Sequence, residues 1–131
     1  MFISYARSDD VLARRLAERL REEHFEVFLD VEQEPGANVA KITGKALESA
    51  DAAVVLLSKD SMQSPWFARE WEYLLGSKRY EGRVVPVLIP GTPEESVPWI
   101  WKHLSHVRPA ATWPVTANRV VRALRDMFKA A

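Results

Sequence analysis

The order of apolar segments in this chain predicts an α/β fold: a flavodoxin-like three-layer sandwich with a central, mostly parallel, five-stranded sheet of order 2-1-3-4-5. Three observations predict it. Short apolar runs alternate along the chain with segments of helical period. One of those runs, Ala52-Ala53-Val54-Val55-Leu56-Leu57, is unbroken, as a strand buried on both faces of a parallel sheet must be. Polar residues collect where the runs end, which is where open α/β sheets bind ligands.

Phe2-Ile3-Ser4-Tyr5 reads as the first strand. Ser8, Asp9 and Asp10 then suit a helix start, with negative charge at the positive end of the helix dipole. Leu12, Leu16 and Leu20, flanked by Ala13 and Ala17, form one apolar stripe over about four turns. His24 falls at the end of that helix, in a capping position. Phe25 to Leu29 is predicted as the second strand, ending at Asp30, and Pro35-Gly36 punctuates the loop after it. A helix from about Val39 to Ser49 is expected to turn Ile42, Ala46 and Leu47 inward.

After the third strand, a serine-rich loop from Ser58 to Pro65 opens into a helix from about Trp66 to Lys78. That helix buries a set drawn from Phe67, Trp71, Leu74 and Leu75. Val84 to Ile89 is the fourth strand, whose Pro86 lacks a ladder donor and so fits an edge or a bulge. The stretch that follows is rich in proline and tryptophan, with a short strand expected near Ser105–Val107. Thr116 is expected to cap the last helix, along which Val120, Val121, Leu124, Met127 and Phe128 form the apolar line.

Composition removes several functions. The chain has 131 residues, enough for one domain, and Lys plus Arg equals Asp plus Glu at 18 each. No overall field steers it to nucleic acid or an anionic membrane, and neither is expected as a partner. The absence of cysteine excludes disulfides, thiolate zinc sites and a Cys nucleophile, and fits a cytoplasmic, reducing location. The N-terminus enters a strand at once, without the basic region and apolar core of a signal peptide, which suggests one domain over residues 1–131 excised from a longer protein. No Gly-rich phosphate loop occurs, and Ser58 stands where a phosphoacceptor receiver domain needs an aspartate. His103 and His106 have metal-pair spacing but no third ligand, so no metal is expected. Arg119, Arg122, Arg125 and Lys129 read as a solvated helix face.

Trp66 and Glu70 are four residues apart and share one helix face, an aromatic plate beside a carboxylate. Taken singly, Glu70 reads as a first-turn carboxylate answering the helix dipole and Trp66 as core. The constellation argues for more: Ser58, Ser61, Ser64, Trp66 and Glu70 on one side of the crevice, Tyr5 and Arg7 on the other. A cationic aromatic ring attached to a sugar suits such a site. Because that leaving group departs neutral, one carboxylate suffices where an ordinary glycosidase needs two.

Four segments together resemble the TIR (Toll/interleukin-1 receptor) domain family in its order and spacing. They are Phe2-Ile3-Ser4-Tyr5-Ala6-Arg7; Phe28-Leu29-Asp30 with its Pro-Gly loop; Val54-Val55-Leu56-Leu57-Ser58; and Ser64-Pro65-Trp66 with Glu70. The similarity runs from residue 2 to about residue 90 and weakens after it; Glu70 stands where the NAD-cleaving members carry their glutamate, and the Ala/Arg-rich helices suggest the bacterial type. It implies an NAD+ glycohydrolase, an NAD+ nucleosidase that releases nicotinamide and ADP-ribose or a cyclised form, with Glu70 as the catalytic residue and no cofactor beyond its substrate. It implies Tyr5, Arg7, Phe28, Glu32, Ser58 and Trp66 as substrate-binding groups. Asp30, Pro35 and Gly36 would belong to an assembly loop through which the domain self-associates in immune-type signalling. Phe67 replaces the cysteine that many relatives place after the tryptophan, and Ala6 stands where some active relatives carry a second basic residue. The alternative is a non-catalytic TIR–TIR interaction module. A deoxyribosyltransferase-like enzyme shares the topology and a carboxylate, but explains the first strand and the Pro-Gly loop less well.

Overall fold

The computed structural model describes residues 1–30, 39–104 and 106–129. Among these residues, four parallel strands, β1 (Phe2–Ser4), β2 (Phe28–Asp30), β3 (Ala53–Leu57) and β4 (Val84–Leu88), form one sheet in the order β2-β1-β3-β4. Six α-helices accompany them among the described residues: α1 (Asp10–Glu22), α2 (Val39–Ser49), α3 (Lys59–Gln63), α4 (Pro65–Gly76), α5 (Trp99–His103) and α6 (Trp113–Lys129). The α/β class and the order 2-1-3-4 are those the sequence predicts. Among the described residues, the place of the expected fifth strand is marked by an isolated parallel bridge between Val87 and Val107.

Alternation along the strands divides the core in two. Ile3, Tyr5, Val54, Leu56, Val85 and Val87 pack with α1 and α6 on one face. Phe2, Ala6, Ala53, Val55, Leu57 and Leu88 pack with Leu47, Phe67, Trp71, Leu74 and Trp101 on the other. Every residue of β3 is buried, as its unbroken apolar sequence requires. Pro86 is tolerated because β4 is an edge. Leu88 N donates outward to Val107 O and Ile89 N donates inward to Leu57 O, so Pro86, in phase with Leu88, turns its missing donor away from β3.

Several expectations change. The second strand pairs only over Phe28–Asp30, because α1 ends late and the chain must first reverse. His24 makes that reversal at φ 69°, its N–H on Arg21 O (2.9 Å) and the Phe25 N–H on Leu20 O (3.1 Å), a Schellman motif. Phe25 and Val27 still pack on the core from outside the ladder. In α2, Leu47 is buried and Ala46 packs half-buried on the core, as the sequence predicts, whereas Ile42 is 38% exposed and Thr43 turns inward instead. Thr116 lies inside α6, fully buried, accepting from Ala110 N and donating to Thr112 O. Thr112 holds the cap position instead, its hydroxyl facing Val115 N at 3.4 Å. The basic face of α6 is tied down in part, with Arg125 paired to Glu23 at the C-cap of α1 and Arg119 donating to Arg108 O. His106 meets Glu94 at 3.2 Å, and among the described residues no group of three or more His, Asp or Glu side chains could hold a metal ion. Among the described residues, no helix is long and apolar enough to cross a membrane.

Two stability predictions follow from this packing. Replacing His24 by glycine removes left-handed backbone strain and is expected to stabilise the fold by about 1 kcal/mol in urea titration, whereas a loss of stability would contradict it. Tyr80, 1% exposed, donates its hydroxyl to Leu47 O and fastens the end of α2 to the turn before β4. Burial, reinforced by Tyr73, pushes its phenol from 10.0 up to about 12. The unfolded chain therefore ionises first, and this contribution to stability is intact below pH 10.0 and lost as pH rises toward about 12. Tyr80→Phe is expected to cost about 1 kcal/mol at neutral pH and to flatten the alkaline decline, read from unfolding midpoints across pH.

Candidate functional site

The order of strand addition reverses at β1: the next strand pairs on one side and the one after it on the other, which makes the β1–β3 boundary the topological switch point. Ser4, the last residue of β1, lies in register with Asp30 of β2 and Val55 of β3. Helix α4 crosses this point. Pro65 sits in its first turn, where a missing N–H costs nothing, and Ser64 precedes it in extended conformation.

One turn in, Glu70 reaches the end of β1. It is 5% exposed, and its Oε1 accepts a 2.9 Å hydrogen bond from the Ser4 hydroxyl, itself 1% exposed. The neighbouring Trp71 donates its indole Nε1–H to the same Ser4 Oγ at 3.3 Å. Trp101 of α5 packs against Trp71 edge to face, with centroids 5.1 Å apart and planes inclined by 82°. A buried carboxylate, a hydroxyl and two indoles thus meet at the carboxyl edge of the sheet.

The loops leaving β1 and β3 are laced together beside this cluster. Ser58 caps α3 in a reciprocal capping box: Ser61 N donates to Ser58 Oγ at 3.2 Å and Ser58 N to Ser61 Oγ at 2.9 Å. The Ser61 hydroxyl donates back to Leu56 O at 2.8 Å. Across the boundary, the Ser8 hydroxyl bonds Asp60 Oδ2 at 2.6 Å. Asp9 lies beside Ser58; burial pushes its carboxyl above the ordinary range, the Ser58 hydroxyl opposes that, and Asp60 adds to the rise.

The residues singled out from sequence fall into separate groups. Trp66 is half-buried one turn before Glu70 and packs on the same core layer. Phe28 stacks on Phe2 at 5.7 Å, on that same face of the sheet. Arg7 is exposed in a 3-10 turn, Arg7–Asp9, directly after β1. Tyr5 departs from the expected grouping: strand alternation sends it to the α1 face, where its hydroxyl donates to Asp10 at 3.1 Å. Ser58 has its hydroxyl engaged in the α3 cap rather than turned toward Glu70. Asp30 ends β2; Glu32, Pro35 and Gly36 lie outside the described residues, as does Ser105. Sequence reasoning does not assign Ser4 or Trp71 to the site: Ser4 reads as part of the first strand and Trp71 as core. The signal for Ser4 is a small hydroxyl one pleat from Phe2 on a strand otherwise built of large apolar and aromatic side chains.

A family model described as TIR domain matches residues 1–121. Among solved structures, the TIR domain of the Toll-related receptor TRR-2 from Hydra magnipapillata superposes with a TM-score of 0.74 at 20% identity, over 95% of this chain and 96% of that one. A metazoan TIR-STING receptor from C. gigas, solved in complex with 2',3'-cGAMP, superposes with a TM-score of 0.72 at 22% identity, over 94% of this chain but 38% of that one. No curated protein sequence matches the chain. At these identities the solved structures share the fold, and the family model supplies the kinship: the chain belongs to the TIR domain family.

Proposed function

We propose that this domain is an NAD+ glycohydrolase with Glu70 as its catalytic carboxylate. The observation that supports the reading most is the placement of Glu70: a hydrogen-bonded carboxylate, 5% exposed, at the switch point where doubly wound sheets bind ligands. In the proposed reaction the bond between ribose C1′ and the nicotinamide nitrogen breaks, and its electron pair leaves with the ring. The pyridinium departs as neutral nicotinamide, so no general acid is required. Water adds at C1′ and releases a proton, giving ADP-ribose; attack by an adenine nitrogen instead gives a cyclic product. A carboxylate held in a site shielded from water stabilises the positive charge that develops on the ribose.

Phe28 and Trp66 share the Glu70 face and supply aromatic surface for the bases; Arg7, exposed in the turn after β1, supplies charge for a phosphate. Tyr5 and Ser58, with hydroxyls committed to Asp10 and to the α3 cap, take no direct part in this reading. Access to a carboxylate this buried is the step that self-association through TIR–TIR contacts would control, in the cytoplasm and in immune-type signalling. Nicotinamide release from NAD+, measured at high protein concentration with a crowding agent, tests the proposal. Wild type is expected to be active and Glu70→Gln to lose about 100-fold or more. Equal activity in the two proteins would remove Glu70 from the mechanism, and inactivity of demonstrated oligomers would favour a non-catalytic interaction module.

A further inference from the structure

We propose that Ser4 is the positioning residue of Glu70, with its hydroxyl proton aimed at the carboxylate by Trp71. The inference rests on the inventory of donors. The Trp71 indole Nε1–H donates and cannot accept, so at 3.3 Å from Ser4 Oγ it occupies a lone pair of that oxygen. A serine hydroxyl carries one proton. With Trp71 donating in, that proton is directed to Glu70 Oε1, 2.9 Å away. The contacts form a one-way relay, Trp71 to Ser4 to Glu70.

The relay is rigid at each link. Ser4 lies in a strand paired on both edges, and is 1% exposed, so its hydroxyl is shielded from competing solvent. Trp71 is 7% exposed, and its indole plane is set by the edge-to-face contact with Trp101. Glu70 and Trp71 are consecutive on α4, yet both side chains converge on one oxygen, which places Ser4 directly beneath that turn of the helix. A hydrogen bond to an ionised carboxylate is among the stronger kinds. Its geometric effect is to hold Oε1, leaving the carboxylate in one orientation when substrate arrives. Mispositioning of a catalytic group by about 1 Å can cost about 100-fold in rate, so the relay acts on the chemical step rather than on binding.

For the kinetic arm this builds on the NAD+ reading of Glu70. Four proteins decide it: wild type, Ser4→Ala, Trp71→Phe and the double variant, with nicotinamide release from NAD+ as the assay. Ser4→Ala is expected to lower kcat about 10- to 100-fold with KM within about twofold. Trp71→Phe is expected to lower kcat less, and to add nothing in the Ser4→Ala background, since Trp71 acts through Ser4. An unchanged kcat in Ser4→Ala, or an equal loss from Trp71→Phe in both backgrounds, would overturn the proposal. Where Ser4→Ala does not fold, Ser4→Cys keeps the volume with a weaker donor and carries the same expectation in direction.

An activity-free readout separates this inference from the enzymatic one. The Trp71 indole N–H resonance, assigned by its absence in Trp71→Phe, is expected to shift and to exchange faster with solvent when Ser4 is alanine. If wild type releases no nicotinamide, the NAD+ reading falls and the relay is decided by this resonance alone. A resonance that neither shifts nor exchanges faster overturns the relay whatever the kinetics show.

Discussion

Strand β1 has three residues, yet it pairs with β2 along one edge and with β3 along the other, and both core layers meet across it. Pairing on two sides fixes its register, and register in a strand decides which side chains face which layer. In the observed register Ile3 and Tyr5 join α1 and α6, while Phe2, Ser4 and Ala6 face the layer of α4 and α5. A slip of one residue would send the Ser4 hydroxyl away from Glu70 and bring the Tyr5 ring in its place. The chemistry of the site therefore depends on a packing decision made by Phe2 and Ile3, both fully buried.

Much of this was legible in the chain, and the reasons are physical. β3 announces itself because a strand covered on both faces has no use for polar residues. Glu70 and Trp66 could be joined from spacing alone, since helical period puts residues four apart on one face. What escaped depends on tertiary geometry. The side of the sheet on which Tyr5 emerges depends on where pairing begins. In α2, Thr43 rather than Ile42 turns inward, a choice between adjacent residues that helical period alone does not make. The α3 turn reads as loop from sequence because its stability lies in a reciprocal serine cap rather than in periodicity.

Residues 4, 70, 71 and 101 show the same limit in sharper form. They come from a strand and two helices far apart in sequence, and none of the three contacts that join them has a local signature. Membership in the TIR family rests on the whole pattern over residues 1–121, whereas the support for Glu70 as a working carboxylate rests on this small cluster. Family and site answer different questions, because a fold accommodates many activities and only particular side chains perform one.

The Trp71–Trp101 pair has an optical side as well. Two indoles with centroids 5.1 Å apart and planes inclined by 82° are close enough for their excited states to mix, and in a chiral frame such mixing gives paired bands of opposite sign in ultraviolet circular dichroism. One partner of that pair also donates to Ser4 beside Glu70. Any rearrangement that turns α4 against α5 alters the dipole geometry and with it the paired bands. The domain thus carries an intrinsic chromophore pair that reports the state of this cluster without added dye or substrate.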